Sequence, residues 1–185
     1  MKKNKLLLNG FLLLAVLIFS SACDVLDTIK TFPVNIPMSV TFSTSGSNSS
    51  MVQSSTFCVN QNETYLQYKD DISELTYVEA AIRTISYSPS DVRGDIVLKV
   101  YDPLGNVLFK EVLEDVSPGD YMNTPYVITL NTDEFNTLNS YLQQALESGG
   151  DICMTAEFSM NITQGSAPYS FEGALDIAFE AKTTL

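Results

Sequence analysis

Apolar and polar residues alternate with a period of two along most of this chain, and that alternation predicts strands rather than helices. Val34, Ile36, Met38, Val40 and Phe42 interleave with Asn35, Pro37, Ser39, Thr41 and Ser43, which gives a first strand. Pro37 cannot donate to a sheet ladder, so that strand belongs at an edge. Thr44 to Ser50 is a serine, glycine and asparagine loop. A second strand follows near Met51 to Val59, then a polar turn at Asn60 to Asn62 and a short strand at Thr64 to Tyr68. Leu75 to Tyr87 reads two ways, because Leu75, Val78, Ala81, Ile82 and Ile85 also fit one face of a helix. Its tyrosine, valine, isoleucine and threonine content favours a strand.

The hairpin signal is clearest between Ile96–Tyr101 and Val107–Leu113. These runs are joined by Asp102-Pro103-Leu104-Gly105-Asn106, with proline where a turn fixes φ and glycine where it needs a positive one. Ser117-Pro118-Gly119-Asp120 makes another turn, and Tyr126 to Leu130 another strand. The period then changes. Phe135, Leu138, Leu142, Ala145 and Leu146 share one helical face, Asn131 and Glu134 form a capping pair, and Gly149-Gly150 stops the run, so a helix is predicted over about 132–148. Asp151 to Thr163 and Tyr169 to Lys182 return to alternation, with Phe171, Leu175, Ile177 and Phe179 inward and Glu172, Asp176, Glu180 and Lys182 outward. Seven to nine strands with one covering α-helix predict a mainly β fold, a two-layer antiparallel β-sandwich, with a closed β-barrel as the alternative.

The N-terminus follows neither period. Lys2, Lys3 and Lys5 precede an apolar run from Leu6 to Phe19, and Ser20-Ser21-Ala22-Cys23 follows. The run is shorter than the roughly 20 apolar residues that a spanning helix needs, and its flanks are those of an export signal. Small residues leading directly to a cysteine resemble the lipobox of bacterial lipoproteins. The resemblance covers residues 1–23 only. It implies that residues 1–22 are a signal peptide removed on export, that Cys23 is the lipidation site, and that its acyl chains anchor the chain in a lipid bilayer. It further implies a cell-envelope location in the periplasm or at the surface, with the outer membrane favoured and the inner membrane left open by Asp24. The remaining organisation reads as the lipidated cysteine and tether over 23–33 and a single sandwich domain over 34–185.

Charge limits the partners. All 22 acidic residues follow the signal, whereas only seven of the ten basic ones do, so the exported chain carries a net charge of −15. Such a surface repels nucleic acid and anionic lipid. Cys58 and Cys153 remain once Cys23 is set aside. They lie on the less apolar faces of their strands in a compartment where disulfides persist, which makes them candidates for a bridge. The alternative is two separate thiols, because geometry is not written in the spacing.

Candidate chemistry is thin. The chain has no histidine, which removes a histidine base and the commonest zinc ligands, and it lacks a phosphate-loop run. Asp70-Asp71, Glu111 with Glu114-Asp115, and Asp133-Glu134 pair carboxylates, but a polar turn, the end of a hairpin and a helix N-terminus account for them. Asp91, Asp95, Asp102 and Asp120 lie near loops without calcium-loop spacing. Simple alternation sets Tyr77 and Tyr87 on one strand face with Glu79, Ala81, Arg83 and Ile85, a candidate ligand face for carbohydrate. No catalytic residue, metal or cofactor is expected. The expected function is a membrane-anchored, non-enzymatic interaction or structural module contacting envelope proteins. A binding module for carbohydrate or an apolar small ligand is the alternative.

Overall fold

Eight strands and two α-helices, with two short 3-10 turns at Val59–Gln61 and Pro118–Tyr121, appear in a computed structural model that describes residues 31–184. In chain order the strands and α-helices are β1 (Thr31–Gly46), β2 (Ser50–Cys58), α1 (Glu63–Tyr68), β3 (Ile72–Ser88), β4 (Arg93–Tyr101), β5 (Val107–Val116), β6 (Tyr126–Ile128), α2 (Thr132–Ser148), β7 (Cys153–Gln164) and β8 (Tyr169–Thr184). Pro33–Thr183 form one compact unit, and of the chain outside it only Thr31, Phe32 and Thr184 are described. The signal read over residues 1–22, Cys23 and the tether up to residue 30 lie outside the described residues.

The strands form two four-stranded antiparallel sheets, ordered β1-β8-β3-β6 and β2-β7-β4-β5, and no closed barrel. The pairing is nested. β1 pairs with β8, β2 with β7, β3 with β6 and β4 with β5, as in one long antiparallel ribbon, and the contacts β8–β3 and β7–β4 roll that ribbon into two layers. This is the strand order of a jelly roll. β1 is an edge strand, which is where Pro37 fits.

Alternating burial follows the sequence pattern closely. On β4 and β7 every second residue is buried, and on β1 Ile36, Val40 and Phe42 face inward. Three rings cross the interface between sheets. Phe158 of β7 stacks on Phe171 of β8 at 4.5 Å with planes 1° apart, and on Phe42 of β1 at 5.7 Å.

β6 pairs with β3 only from Ala80 to Ile82, leaving the side of the sandwich open nearer the start of β3. α2 fills that side, with Leu138 and Leu142 fully buried. Its ends form as the sequence dictates. The Asn131 side chain accepts from the amides of Asp133 and Glu134, Glu134 accepts in return from the Asn131 amide, and Gly149 closes the helix at φ 64°. Tyr141 on the same helix donates to the Cys153 carbonyl and ties it to β7.

The segment from Thr64 to Tyr68 is α1 rather than a strand. Asn62 decides this locally, since its Oδ1 accepts from the Thr64 amide at 2.8 Å and from the Tyr65 amide at 3.4 Å, the bonding of a helix N-cap. The strand read to Leu130 stops at Ile128.

Candidate functional site

The nested topology sorts the loops to two ends. β1 begins, β8 ends and β3 begins at one end, because β8 lies between the other two and Ile72 pairs with Thr183. Asn62 Nδ2 donates to the Pro37 carbonyl, which brings the end of β2 and α1 to that same end. The Asp102–Asn106 turn and the Cys58–Cys153 rung belong there too, since Tyr101 pairs with Thr155 two residues from Cys153. At the far end stand the loops 47–49, 89–92, 117–125 and 165–168.

Cys58 and Cys153 are bonded to each other. They are directly opposite at the ends of β2 and β7, and the next pair on that face further into the strands, Thr56 and Thr155, shares a hydroxyl hydrogen bond of 2.9 Å. The bridge therefore continues a polar outer rung, and it locks β2 beside the residues that follow α2.

The ligand face proposed for Tyr77 and Tyr87 does not exist. β3 carries bulges at Val78 and Ile85, where two residues oppose one step of β8, and each bulge flips the faces that follow. Glu79, Ala81 and Arg83 consequently point away from the core while Tyr77 and Tyr87 pack toward it. Tyr77 lies between Phe109 and Phe135, with ring centroids 6.5 and 6.3 Å away. Burial pushes its hydroxyl up to about 12, the Ala80 amide opposing and the Glu79 charge adding to the shift, and the oxygen has no partner in hydrogen-bond geometry among the described residues. Tyr87 lies under the 117–121 turn, its hydroxyl 2.3 Å from where a Cβ on Gly119 would stand.

The carboxylates also have structural partners. Asp95 accepts from the Asp115 amide, Asp115 pairs with Arg93, and Asp120 accepts from the Ser117 amide. Asp176 accepts from Ser39 and, at 2.6 Å, from Arg83, crossing three strands of one sheet. Asp102 gathers the hairpin turn around itself. Its Oδ1 accepts from the Leu104 and Asn106 amides, both at 2.8 Å, and its Oδ2 from the Asn106 side chain at 2.7 Å. Burial alone would raise this carboxyl, but the hydrogen bonds from Asn106, Leu104 and Gly105 outweigh it and hold the group below its ordinary range.

Two open depressions flank α2 and share Ser73 and Gln143. One, of about 510 Å³, lies between α1, the start of β3 and the end of α2. The other, of about 420 Å³, runs along Phe135, Asn136, Asn139 and Ser140. The first is lined by charged and polar side chains, Lys69, Asp70, Gln143 and Glu147 among them, whereas the second sets Leu75 and Phe135 beside amides and hydroxyls. Neither groove was visible in the sequence, although the polar flank of the predicted helix, Asn136-Asn139-Ser140-Gln143, is one of its walls. Asn139 is partly committed, since its Oδ1 accepts from the Tyr77 amide at 2.7 Å. Among the described residues no group of three or more acidic or cysteine side chains is placed to hold a metal ion, and no helix is long and apolar enough to cross a membrane.

No family model matches this chain, and no curated protein matches it. Similar solved structures include one of tobacco necrosis virus, 13% identical with a TM-score of 0.41, covering 84% of this chain and 97% of that one. One of Desmodium yellow mottle tymovirus is 10% identical with a TM-score of 0.43, covering 84% and 89%. A Macrobrachium rosenbergii nodavirus structure is 10% identical with a TM-score of 0.41, covering 85% and 55%. Likeness this distant assigns no role to any residue here.

Proposed function

We propose that this chain is a lipid-anchored, non-enzymatic interaction module of the bacterial cell envelope, held by acyl chains on Cys23 and offering the far-end loops to envelope proteins. The observation that carries the reading is the polarity of the fold. The chain enters the sandwich at Pro33, ten residues after Cys23, at the end opposite the loops 89–92, 117–125 and 165–168. Ten residues reach about 35 Å at full extension. An anchor at Cys23 thus leaves one end near the bilayer and turns the other outward.

The loops at that outward end are rich in serine and proline, with asparagine and glycine among them, and serine, asparagine and glycine supply adaptable polar contacts in protein recognition. Several carboxylates that might have suggested chemistry, Asp95, Asp102, Asp115, Asp120 and Glu134, are engaged in caps, turns and strand-to-strand pairs. Two or more acyl chains hold a protein firmly, which suits a stationary module.

The test is intact mass and membrane partition of the protein made with its own signal, against Cys23→Ala. Diacylglyceryl and acyl additions on the wild type, absent from the variant, are expected. An unmodified, freely soluble wild type overturns the anchor. A second reading, a binder of a polar ligand such as carbohydrate, draws on the grooves beside α2 with the half-exposed Phe135 ring at one end. Saturable glycan binding abolished by Phe135→Ala would favour it.

A further inference from the structure

Leu104 is the most exposed large apolar side chain among the described residues, at 88% of its accessible surface. Nothing in the turn requires leucine there. The turn needs Asp102 for its hydrogen bonds and Gly105 for a φ of 86°, and any side chain could stand between them. The same hydrogen bonds hold the tip rigidly outward, with Pro103 exposed before it and Val107 half-exposed after it. A loose tip could fold its leucine back onto the protein, whereas this one presents it.

The position of the tip gives that exposure a partner. The Asp102–Asn106 turn stands at the end of the sandwich where the chain enters at Pro33, and Leu66 on α1, about half exposed, belongs to the same end. We infer that the Asp102–Asn106 turn is a bilayer contact, with Leu104 dipping into the interface of the membrane that carries the anchor. This rests on the lipid anchor proposed above. A ten-residue tether keeps this end at high effective concentration beside the bilayer, so a contact too weak to bind from solution is populated once the acyl chains are inserted. Asp70, Glu147 and Asp151 outnumber Lys69 at the same end and disfavour anionic headgroups, so the surface that fits is zwitterionic.

The chain contains no tryptophan, so one introduced indole reports alone. Leu104→Trp and, at the far end, Met122→Trp would each be made in the full chain, their acylation verified by intact mass, and reconstituted into vesicles of phosphatidylcholine with brominated acyl chains. The expected result is a blue-shifted, bromine-quenched emission for Leu104→Trp and an unquenched, water-like emission for Met122→Trp. Water-like emission from Leu104→Trp in acylated protein overturns the contact while leaving the anchored module intact. A blue shift without bromine quenching marks a protein contact and overturns it equally, as does quenching at Met122→Trp. Protein lacking acyl groups removes both the contact and the reading beneath it.

Discussion

The Phe171 ring occupies the space that a side chain on Gly173 would need. Its Cζ lies 2.5 Å from the position of a Cβ there, and the Arg83 carbonyl lies 3.0 Å away on β3. Glycine at 173 is therefore what allows Phe171 to lie flat on Phe158 and join the two sheets. Gly173→Ala should displace the ring and destabilise the fold by about 1–3 kcal/mol, the usual range for overpacking a core. Urea unfolding of the two proteins measures this, and an unchanged midpoint would mean the ring yields at no cost.

Tyr77 makes the opposite case, a polar atom whose removal should cost nothing. Its hydroxyl is buried without a partner among the described residues, and the ring alone makes the contacts with Phe109 and Phe135. Tyr77→Phe keeps the ring and removes the desolvated oxygen, so stability should stay level or rise by up to about 1 kcal/mol. A clear loss would show that the hydroxyl is satisfied, by the Ala80 amide or by a buried water.

The sequence made the strand faces legible wherever alternation ran unbroken, as on β1, β4, β7 and β8, and the caps of α2 were legible because Asn131, Glu134 and Gly149 bond locally. β3 was harder for a physical reason. Its inward residues are Leu75 and Tyr77, then Ala80, Ile82 and Thr84, then Tyr87, and the two three-residue steps are bulges. A three-residue step looks helical, and counting by twos across it carries both tyrosines to the wrong face. α1 was missed because six residues are too few to show a period, and only Asn62 as a cap hinted at it. The bond between Cys58 and Cys153 follows from a register that joins residues 95 apart, which spacing alone does not reveal.

That bond closes a long loop, so its removal should be costly mainly through the unfolded chain. The double variant Cys58→Ala/Cys153→Ala frees 95 residues of loop, and the expected loss is about 2–5 kcal/mol. Thr56–Thr155 and the ladder of β2 with β7 remain, so the variant should keep its β-rich circular dichroism at low temperature while melting earlier. A melting point equal to that of the wild type would show that the ladder alone fixes the register.

Asp102 sets an expectation for pH. Its carboxyl is held below the ordinary aspartate value of 3.8 because four hydrogen-bond donors from Asn106, Leu104 and Gly105 favour the charged form. A depressed folded value means that the carboxylate stabilises the turn fully above the unfolded value and loses that contribution as pH falls through the folded one. Asp102→Asn keeps an acceptor for the Leu104 amide but replaces the second oxygen with a donor, which cannot serve the Asn106 side chain. Chemical unfolding of the two proteins should therefore differ by a constant amount from neutral pH down to about 5, converge below 3.8, and meet once Asp102 is protonated in the folded protein as well. Because the group is close to solvent the difference should be small, and added salt should shrink it. Curves that stay parallel into acid would mean that the turn is held by its backbone geometry, with Pro103 and Gly105 sufficient to present Leu104.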